Sequence, residues 1–151
     1  YMGGQHRVVT LVFAKERNAE SVREAMDAKR TAVYADEMVF GREQELKPLF
    51  DACIQVKNVK WGKKGVSCTL ENVSSIPVRI TKAPGSEGYR YTRYFVIPPF
   101  STVRLSVEAL SKSGGSTTLD ESVNEVVANF YVENFHIGAN KPLHTAIKIK
   151  R

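Results

Sequence analysis

The feature of this sequence that most constrains its fold is a change in the spacing of apolar residues near Cys53. From there to the C-terminus, short runs alternate apolar and polar side chains, which is the period of a strand with one buried face. These runs are residues 54–56, 66–70, 78–80, 89–97, 102–107, 126–134 and 143–150. Turn residues separate them, including Gly62 to Gly65, Pro84-Gly85 and Pro98-Pro99. About seven short strands in residues 52–151 predict an immunoglobulin-like antiparallel β-sandwich.

The opening of the chain has a different pattern. Residues 8–14 are apolar without alternation, which is typical of a strand covered on both faces in a parallel sheet. Asn18 is a suitable N-cap for a helix over 19–30, and residues 31–34 read as a second strand. The result is a short βαβ-like segment, which cannot bury both of its faces alone.

A second helix is predicted over residues 42–52, interrupted at Pro48 because proline cannot donate the intrahelical hydrogen bond. The fold class is therefore α+β, mainly β. We expect a βαβ-like end-segment over 1–51 and the sandwich over 52–151.

The positive charge is confined to the predicted sandwich. The net charge is +6, but residues 1–51 carry eight Lys/Arg against nine Asp/Glu, whereas residues 52–151 carry fourteen against seven. Two groups of cations stand out: Lys57, Lys60, Lys63 and Lys64, and then Lys141, Lys148, Lys150 and Arg151. They would form a basic patch if the first and last strands were neighbours, but lysines also protect sheet edges from aggregation. We favour edge protection, and a nucleic-acid partner is the less favoured interpretation.

The two cysteines are not predicted to form a disulfide. If the strand ladder runs regularly through the turn at 62–65, Ser74 lies opposite Cys53 and Val59 opposite Cys68. The thiols would then be about 20 Å apart along the ladder, whereas a disulfide needs Cα atoms within about 7 Å. Two free, half-buried thiols are expected. The sequence also has no run of about 18 apolar residues, which excludes a membrane-spanning helix.

Residues 10–17 and 21–31 resemble the closing βα segment of PHP-family (polymerase and histidinol phosphatase) metal-dependent phosphoesterases. The run continuing through 41–50 is similar to a Bacteroidetes subgroup related to the antimony-resistance-marker phosphodiesterases. Members of that subgroup carry a C-terminal sandwich extension. The resemblance implies that this chain is the C-terminal part of such a protein, joined to a PHP-like domain upstream in the same polypeptide. Compartment is not encoded in these residues, although the resemblance weakly favours the periplasm over the cytoplasm.

The metal-binding motifs of that family are missing from this chain. PHP enzymes begin their metal site with His-x-His and end it with Asp-x-His, and neither motif occurs here. The three histidines, His6, His136 and His144, are far apart. The resemblance therefore implies that divalent metals are held by the upstream domain and that this chain contains no cofactor and no catalytic or metal-binding residue. We expect a non-catalytic accessory module whose parent protein is a hydrolase.

Two groups of residues are candidates for ligand binding. Lys15 and Arg17 follow the first strand, at the end that carries the active site in βα-barrels, where two cations can hold a substrate phosphate. The alternative is a solvated loop. Tyr89, Tyr91 and Arg93 belong to a run with aromatic residues on both strand faces, and they predict a sugar- or peptide-binding platform if they are not core. An independent sandwich that binds carbohydrate or an envelope protein is thus the alternative function.

Overall fold

The computed structural model describes residues 8–151 and divides the chain into two units. The first unit comprises the chain up to Phe50 together with residues 134–143. The second unit comprises residues 51–133 and 144–151. The predicted division at residue 51 did not assign residues 134–143 to the first unit.

The first unit contains three antiparallel strands and two helices. Its elements are β1 (Val9–Val12), α1 (Ala19–Asp27), β2 (Thr31–Ala35), β3 (Met38–Gly41) and α2 (Glu43–Cys53), of which the last continues into the second unit. The order strand, helix, strand is confirmed. The parallel arrangement is wrong: β1 pairs antiparallel with β2, with Val9 opposite Tyr34, and β2 pairs antiparallel with β3.

Local signals explain where the helices begin and end. The Asn18 side chain accepts a hydrogen bond from the Ser21 backbone N–H at 2.7 Å, so the predicted N-cap is confirmed. Helix α1 ends at Asp27, three residues earlier than predicted, because Lys29 adopts a left-handed conformation with φ 56°. Helix α2 is continuous through Pro48, so the predicted interruption is wrong. Proline near the middle of an eleven-residue helix removes one backbone hydrogen bond, which the remaining turns tolerate here.

The second unit is the predicted sandwich, built from eight strands. One sheet has the order β4 (Ile54–Gly62), β5 (Gly65–Asn72), β9 (Thr102–Ala109) and β7 (Tyr89–Arg90). In the other, β6 (Val78–Lys82) lies between β8 (Tyr94–Ile97) and β10 (Glu125–Gly138), and β10 also pairs with β11 (Lys141–Lys150). The predicted alternation in the last strand is confirmed, because Thr145, Ile147 and Ile149 are buried while His144, Lys148 and Lys150 are exposed.

Strand β10 contributes residues to both units. Its middle part pairs antiparallel with β6, with Tyr131 opposite Thr81. Its last residues, Phe135 and His136, pair in parallel with Val39 and Phe40 of β3 in the first unit. The strand therefore runs beyond the predicted end at residue 134, because its extension has its own pairing partner.

The β4–β5 hairpin contains a bulge near Asn58, where the sequence predicts one because Val59 and Trp61 are out of phase with Ile54 and Val56. The register shifts between Lys57 and Lys60, and Asn58 adopts φ 51°. Because the bulge absorbs one residue, the Val73 backbone N–H donates to the Cys53 carbonyl, and the predicted opposition of Ser74 to Cys53 is wrong by one position. Cys53 and Cys68 are free, as predicted, but both are buried rather than half-buried.

The predicted strand over 89–97 is two strands. β7 pairs with β9 in one sheet and β8 pairs with β6 in the other, so the chain crosses between sheets at residues 91–93. Tyr91 turns into the core at this crossing, where its ring lies edge-on to Phe130 with centroids 5.1 Å apart. Phe95 also packs edge-on to Phe130, at 5.8 Å, so this end of the sandwich is closed by aromatic side chains.

Candidate docking surface and ligand cleft

Large apolar side chains that face solvent are concentrated in the first unit. Among the described residues, six of the ten such side chains belong to it. They are Val8, Val9, Val22, Met26, Val33 and Phe40, here called the first-unit apolar surface. Val8 is 70% exposed and Met26 55% exposed. Val33 and Phe40 are cross-strand neighbours on one face of the sheet, whereas Val9 belongs to the opposite face. Contiguous exposed apolar side chains such as Val33 and Phe40 are typical of contact surfaces.

The apolar stripe of helix α1 explains part of this surface. Val22, Ala25 and Met26 form this stripe: Ala25 is buried, whereas Val22 and Met26, one turn apart, are exposed. The strand 9–12 is likewise not covered on both faces, since Val8 and Val9 are exposed. These apolar side chains at β1 and on α1 are therefore not buried by any part of residues 8–151.

A cleft of about 510 Å³ adjoins Phe40 within the first unit. It is lined by Met38, Phe40, Gly41 and residues 136–140, which are the end of β10 and the turn that follows it. The Phe40 ring stacks on the His136 imidazole. The Nε2 atom of His136 is buried and has no hydrogen-bond partner among residues 8–151. Buried polar atoms are nearly always satisfied, so this atom is suited to a partner from outside the described chain.

Lys15 and Arg17 lie in the loop between β1 and the N-cap of α1, and both are exposed. Within the described residues neither makes a hydrogen bond or a close ion pair, although the hydrogen bond from Arg30 and, more weakly, the charge of Lys15 lower the pKa of the Glu24 carboxyl. Their neighbour Glu16 is held in the loop, because its backbone N–H donates to the Ser21 hydroxyl and its carboxylate accepts from the Asn18 amide. Glu16 is therefore engaged locally, and both predicted phosphate-binding cations project from an ordered loop.

The structure separates the three residues of the predicted platform. Tyr91 is core: its hydroxyl donates to the Asn129 carbonyl and accepts from the Asn129 N–H, both at 3.0 Å. Its predicted place on a binding surface is corrected, because the ring fills the gap where the chain crosses between sheets. Tyr89 is half-buried, and Arg93 is exposed. A ligand-binding role for Tyr89 and Arg93 stays a prediction.

Lys82 connects these residues and was not identified from the sequence. Its Nζ donates to the Tyr89 carbonyl at 3.0 Å and lies 4.3 Å from the centroid of the Tyr91 ring. Its backbone N–H donates to the Arg93 carbonyl. A cleft of about 430 Å³ opens beside it, lined by Thr81, Lys82, Ala83, Pro84 and Arg93. The sequence does not indicate that Lys82 contacts Tyr89, Tyr91 and Arg93, because Lys82 is simply the last residue of a strand with alternating polarity.

The residues that the structure describes do not fit a metal centre. Within residues 8–151, no group of three or more His, Cys, Asp or Glu side chains is placed to hold a metal ion. His136 and His144 lie in different units, and His6 lies outside the described residues. Burial raises the pKa of the Cys53 thiol, and raises the pKa of Cys68 to about 11, which disfavours both as nucleophiles.

The two lysine groups meet at one point. β4 and β11 belong to different sheets, and the Arg151 guanidinium lies 4.9 Å from the centroid of the Trp61 ring. Acidic side chains balance part of the charge, because Lys57 pairs with Glu71 and Lys150 lies 3.7 Å from Glu125. Both lysines lie on strands that have a hydrogen-bonded neighbour strand on one side and, among the described strands, none on the other. This position agrees with the protection of sheet edges.

Comparison with known families identifies the sandwich. The model of a family described as an Ig-like domain, DUF5001, matches residues 54–148. None of the curated proteins compared with the chain matches it.

Comparison with solved structures extends over both units. The chain is similar to a two-domain protein from Bacteroides vulgatus that contains a predicted PHP-like metal-dependent phosphoesterase. The match has a TM-score of 0.79 and 29% sequence identity, and it covers 95% of this chain but 39% of that protein. This chain therefore spans well under half the length of the protein it resembles. In the described part of the chain, no helix is long and apolar enough to cross a membrane.

Proposed function

The chain belongs to the Ig-like domain family DUF5001, and from this premise we propose that it is a non-catalytic accessory module that packs beside a PHP-type metal-dependent phosphoesterase domain. That domain lies upstream in the same polypeptide. The observation that carries the proposal is the match of 95% of this chain to 39% of a two-domain protein containing a predicted PHP-like phosphoesterase. A match of this extent includes the first unit as well as the sandwich, so the pair of units corresponds to one portion of that protein.

The first-unit apolar surface supports this role. Val22, Met26 and Phe40 are apolar positions that the described chain leaves in water, and the buried His136 Nε2 lacks a partner there. A neighbouring domain that covers them removes apolar area from water and supplies the missing hydrogen bond. The occupant we propose is the phosphoesterase domain.

The metal ions belong to that domain in this proposal. The upstream domain would hold them through His, Asp and Glu side chains, and the bound metal would supply the activation of water for hydrolysis. Lys15 and Arg17 are the two residues by which this chain reaches the substrate, since both are exposed in the loop before the α1 N-terminus and make no hydrogen bond or close ion pair within residues 8–151. Each would hold a phosphate oxygen by a charge-assisted hydrogen bond.

The proposal is tested by comparing the 151-residue chain with the longer polypeptide in which it continues upstream. Both are assayed with Mn²⁺, Zn²⁺ or Mg²⁺ on bis(p-nitrophenyl) phosphate. We expect metal-dependent hydrolysis by the longer protein and none by the chain alone. Turnover by the chain that survives repurification contradicts the proposal. An upstream region without His-x-His and Asp-x-His motifs contradicts the assignment of the catalytic domain.

A further inference from the structure

A row of aromatic side chains crosses the outer face of one sheet of the sandwich. Tyr94 of β8 lies opposite Thr81 of β6, and Thr81 lies opposite Tyr131 of β10. The Tyr131 ring contacts His144 of β11, with centroids 5.4 Å apart. These four residues, the aromatic row, span four adjacent strands, which is about 14 Å at the usual strand spacing.

The row is on the solvent side of the sheet. Val78 and Ile80 of β6 are buried, whereas Thr81 is partly exposed. Tyr94 is 57% exposed, His144 is exposed and Tyr131 is half-buried. The small side chain of Thr81 lies between Tyr94 and Tyr131, so the surface is lower at Thr81 than at the two tyrosine rings. An exposed strip of this kind provides apolar ring faces that do not contribute to the core.

Positive charge lies beside one end of the row, where β6 and β8 meet the loops. Lys82 and Arg93 form the next pair after Thr81 and Tyr94, so their side chains start from the opposite strand face. Thr81 also lines the 430 Å³ cleft that contains Lys82 and Arg93. Lys82 is fixed by the Tyr89 carbonyl and the Tyr91 ring. Arg93 is exposed, and within residues 8–151 its guanidinium makes no hydrogen bond or ion pair. Nearby Glu87 accepts a hydrogen bond from the Gly85 backbone N–H, which lowers its pKa, and the charge of Lys82 lowers it further, so Glu87 offsets part of the charge of Lys82.

We propose that this face binds an oligosaccharide that carries carboxylate groups. The apolar C–H faces of sugar rings would stack on Tyr94 and Tyr131, with a hydroxyl near Thr81. A carboxylate would receive two parallel hydrogen bonds from the Arg93 guanidinium, with Lys82 adding charge. The cleft and the row thus supply the two recognition elements that such a ligand needs, an apolar strip and a localised cation.

The distribution of charge favours an acidic glycan over a nucleic acid. A nucleic acid carries a phosphate at every nucleotide and needs cations along the whole track. Here Lys82 and Arg93 lie at one end, Arg79 is a further cation two residues from Thr81 on the same face of β6, and Glu133, two residues from Tyr131, places an acidic group beside the row. This inference does not depend on the proposed function, because it concerns the second unit, whereas the proposed docking surface is in the first.

The experiment is isothermal titration calorimetry of the 151-residue chain at about 0.15 M salt. The probes are oligouronides from pectin, alginate and hyaluronan, each beside a carboxyl-reduced neutral counterpart, and oligothymidylate. We expect at least one acidic oligosaccharide to bind more tightly than its neutral counterpart and more tightly than oligothymidylate. Tyr94→Ala and Arg93→Gln should each raise the Kd about tenfold, and Tyr94→Phe should keep wild-type affinity.

Matched controls separate the site from general electrostatics. Phe100→Ala removes an aromatic side chain that is 73% exposed and off the row, and Arg104→Ala removes an exposed cation on the other sheet. Both should leave the Kd unchanged. If Tyr94→Ala does not fold, Arg93→Gln carries the same test. The proposal is overturned if no acidic probe is preferred, if oligothymidylate binds more tightly, or if the controls weaken binding as much as the row variants.

Discussion

The Phe40 ring stacks on the His136 imidazole, with centroids 5.4 Å apart and planes inclined by 25°. The two residues are paired across β3 and β10, which run parallel at this point. One face of Phe40 therefore covers a histidine whose Nε2 is buried without a partner in residues 8–151, while 45% of the side chain remains in water. Aromatic residues are enriched in protein interfaces, and buried polar atoms nearly always have a partner, so both features support the proposed docking of another domain here.

Replacing Lys15 or Arg17 by alanine in the whole protein is expected to lower kcat/KM without changing Tm. Each loses a charge-assisted hydrogen bond worth about 1.5–3 kcal/mol, which is about ten- to a hundredfold in rate. The unfolding temperature should not change because both side chains are exposed and make no hydrogen bond or ion pair in the described chain. Arg23→Ala, an exposed cation on α1, is the matched control. Wild-type activity in both variants would show that the two residues are ordinary loop cations.

Asn72→Ala is expected to destabilise the sandwich by about 3 kcal/mol. The buried Asn72 side chain donates to the Ile76 and Ile97 carbonyls and accepts from the Ser74 N–H and hydroxyl. Alanine leaves those groups without their partners in the interior. Urea unfolding measures the difference, with the exposed Asn124→Ala as control. Equal stability of the two variants would contradict the role assigned to this network.

Cys68 is expected to be unreactive in the folded protein. Burial raises its pKa from 9.0 to about 11, so about one thiol in a thousand is ionised at pH 8. Iodoacetamide should modify Cys68 only after unfolding, and rapid labelling of the native chain would refute the buried position.

The raised pKa of Cys68 also predicts a pH dependence of stability. Because the pKa of the thiol is higher in the folded than in the unfolded protein, its contribution to the free energy of unfolding is complete below pH 9 and is lost as the pH rises towards 11. The stability difference between wild type and Cys68→Ala should narrow over that interval.

Residues 52–151 are expected to fold without residues 1–51. Their buried side chains, among them Leu70, Ile80, Leu105 and Phe130, come from both sheets of the sandwich and form a closed core. Thermal unfolding of the separate fragment should be cooperative, whereas residues 134–143, which lose the pairing with β3, should exchange their amide hydrogens faster. A molten fragment would place the domain boundary elsewhere.

Alternation of polarity was sufficient to predict the sandwich because each strand has one buried and one exposed face. The pattern could not show that the chain crosses between sheets at Tyr91, since that crossing depends on Lys82 and Asn129, which are distant in sequence. Nor could it show that β10 continues past Asn134, because the partner strand is β3. The apolar run at 8–14 was predicted to be covered on both faces, but Val8 and Val9 are exposed in the described chain, so cover by another domain stays a prediction.

The ligand cleft was only partly predictable. Arg93 was identified because it lies in a run of aromatic and basic residues, whereas Tyr131 and His144 are in two other strands and meet Tyr94 only through the sheet register. Cross-strand neighbours of this kind have no signature in the sequence of a single strand.

The most direct test of the accessory role is hydroxyl-radical footprinting of the first-unit apolar surface. The oxidation rates of Met26 and Phe40 are measured in the 151-residue chain and in the longer polypeptide with its upstream domain. Phe100, which is 73% exposed and lies in the second unit, is the internal reference. If the phosphoesterase domain packs on this surface, oxidation of Met26 and Phe40 falls severalfold in the longer protein while that of Phe100 is unchanged. Equal rates for Met26 and Phe40 in the two proteins would contradict the proposed docking.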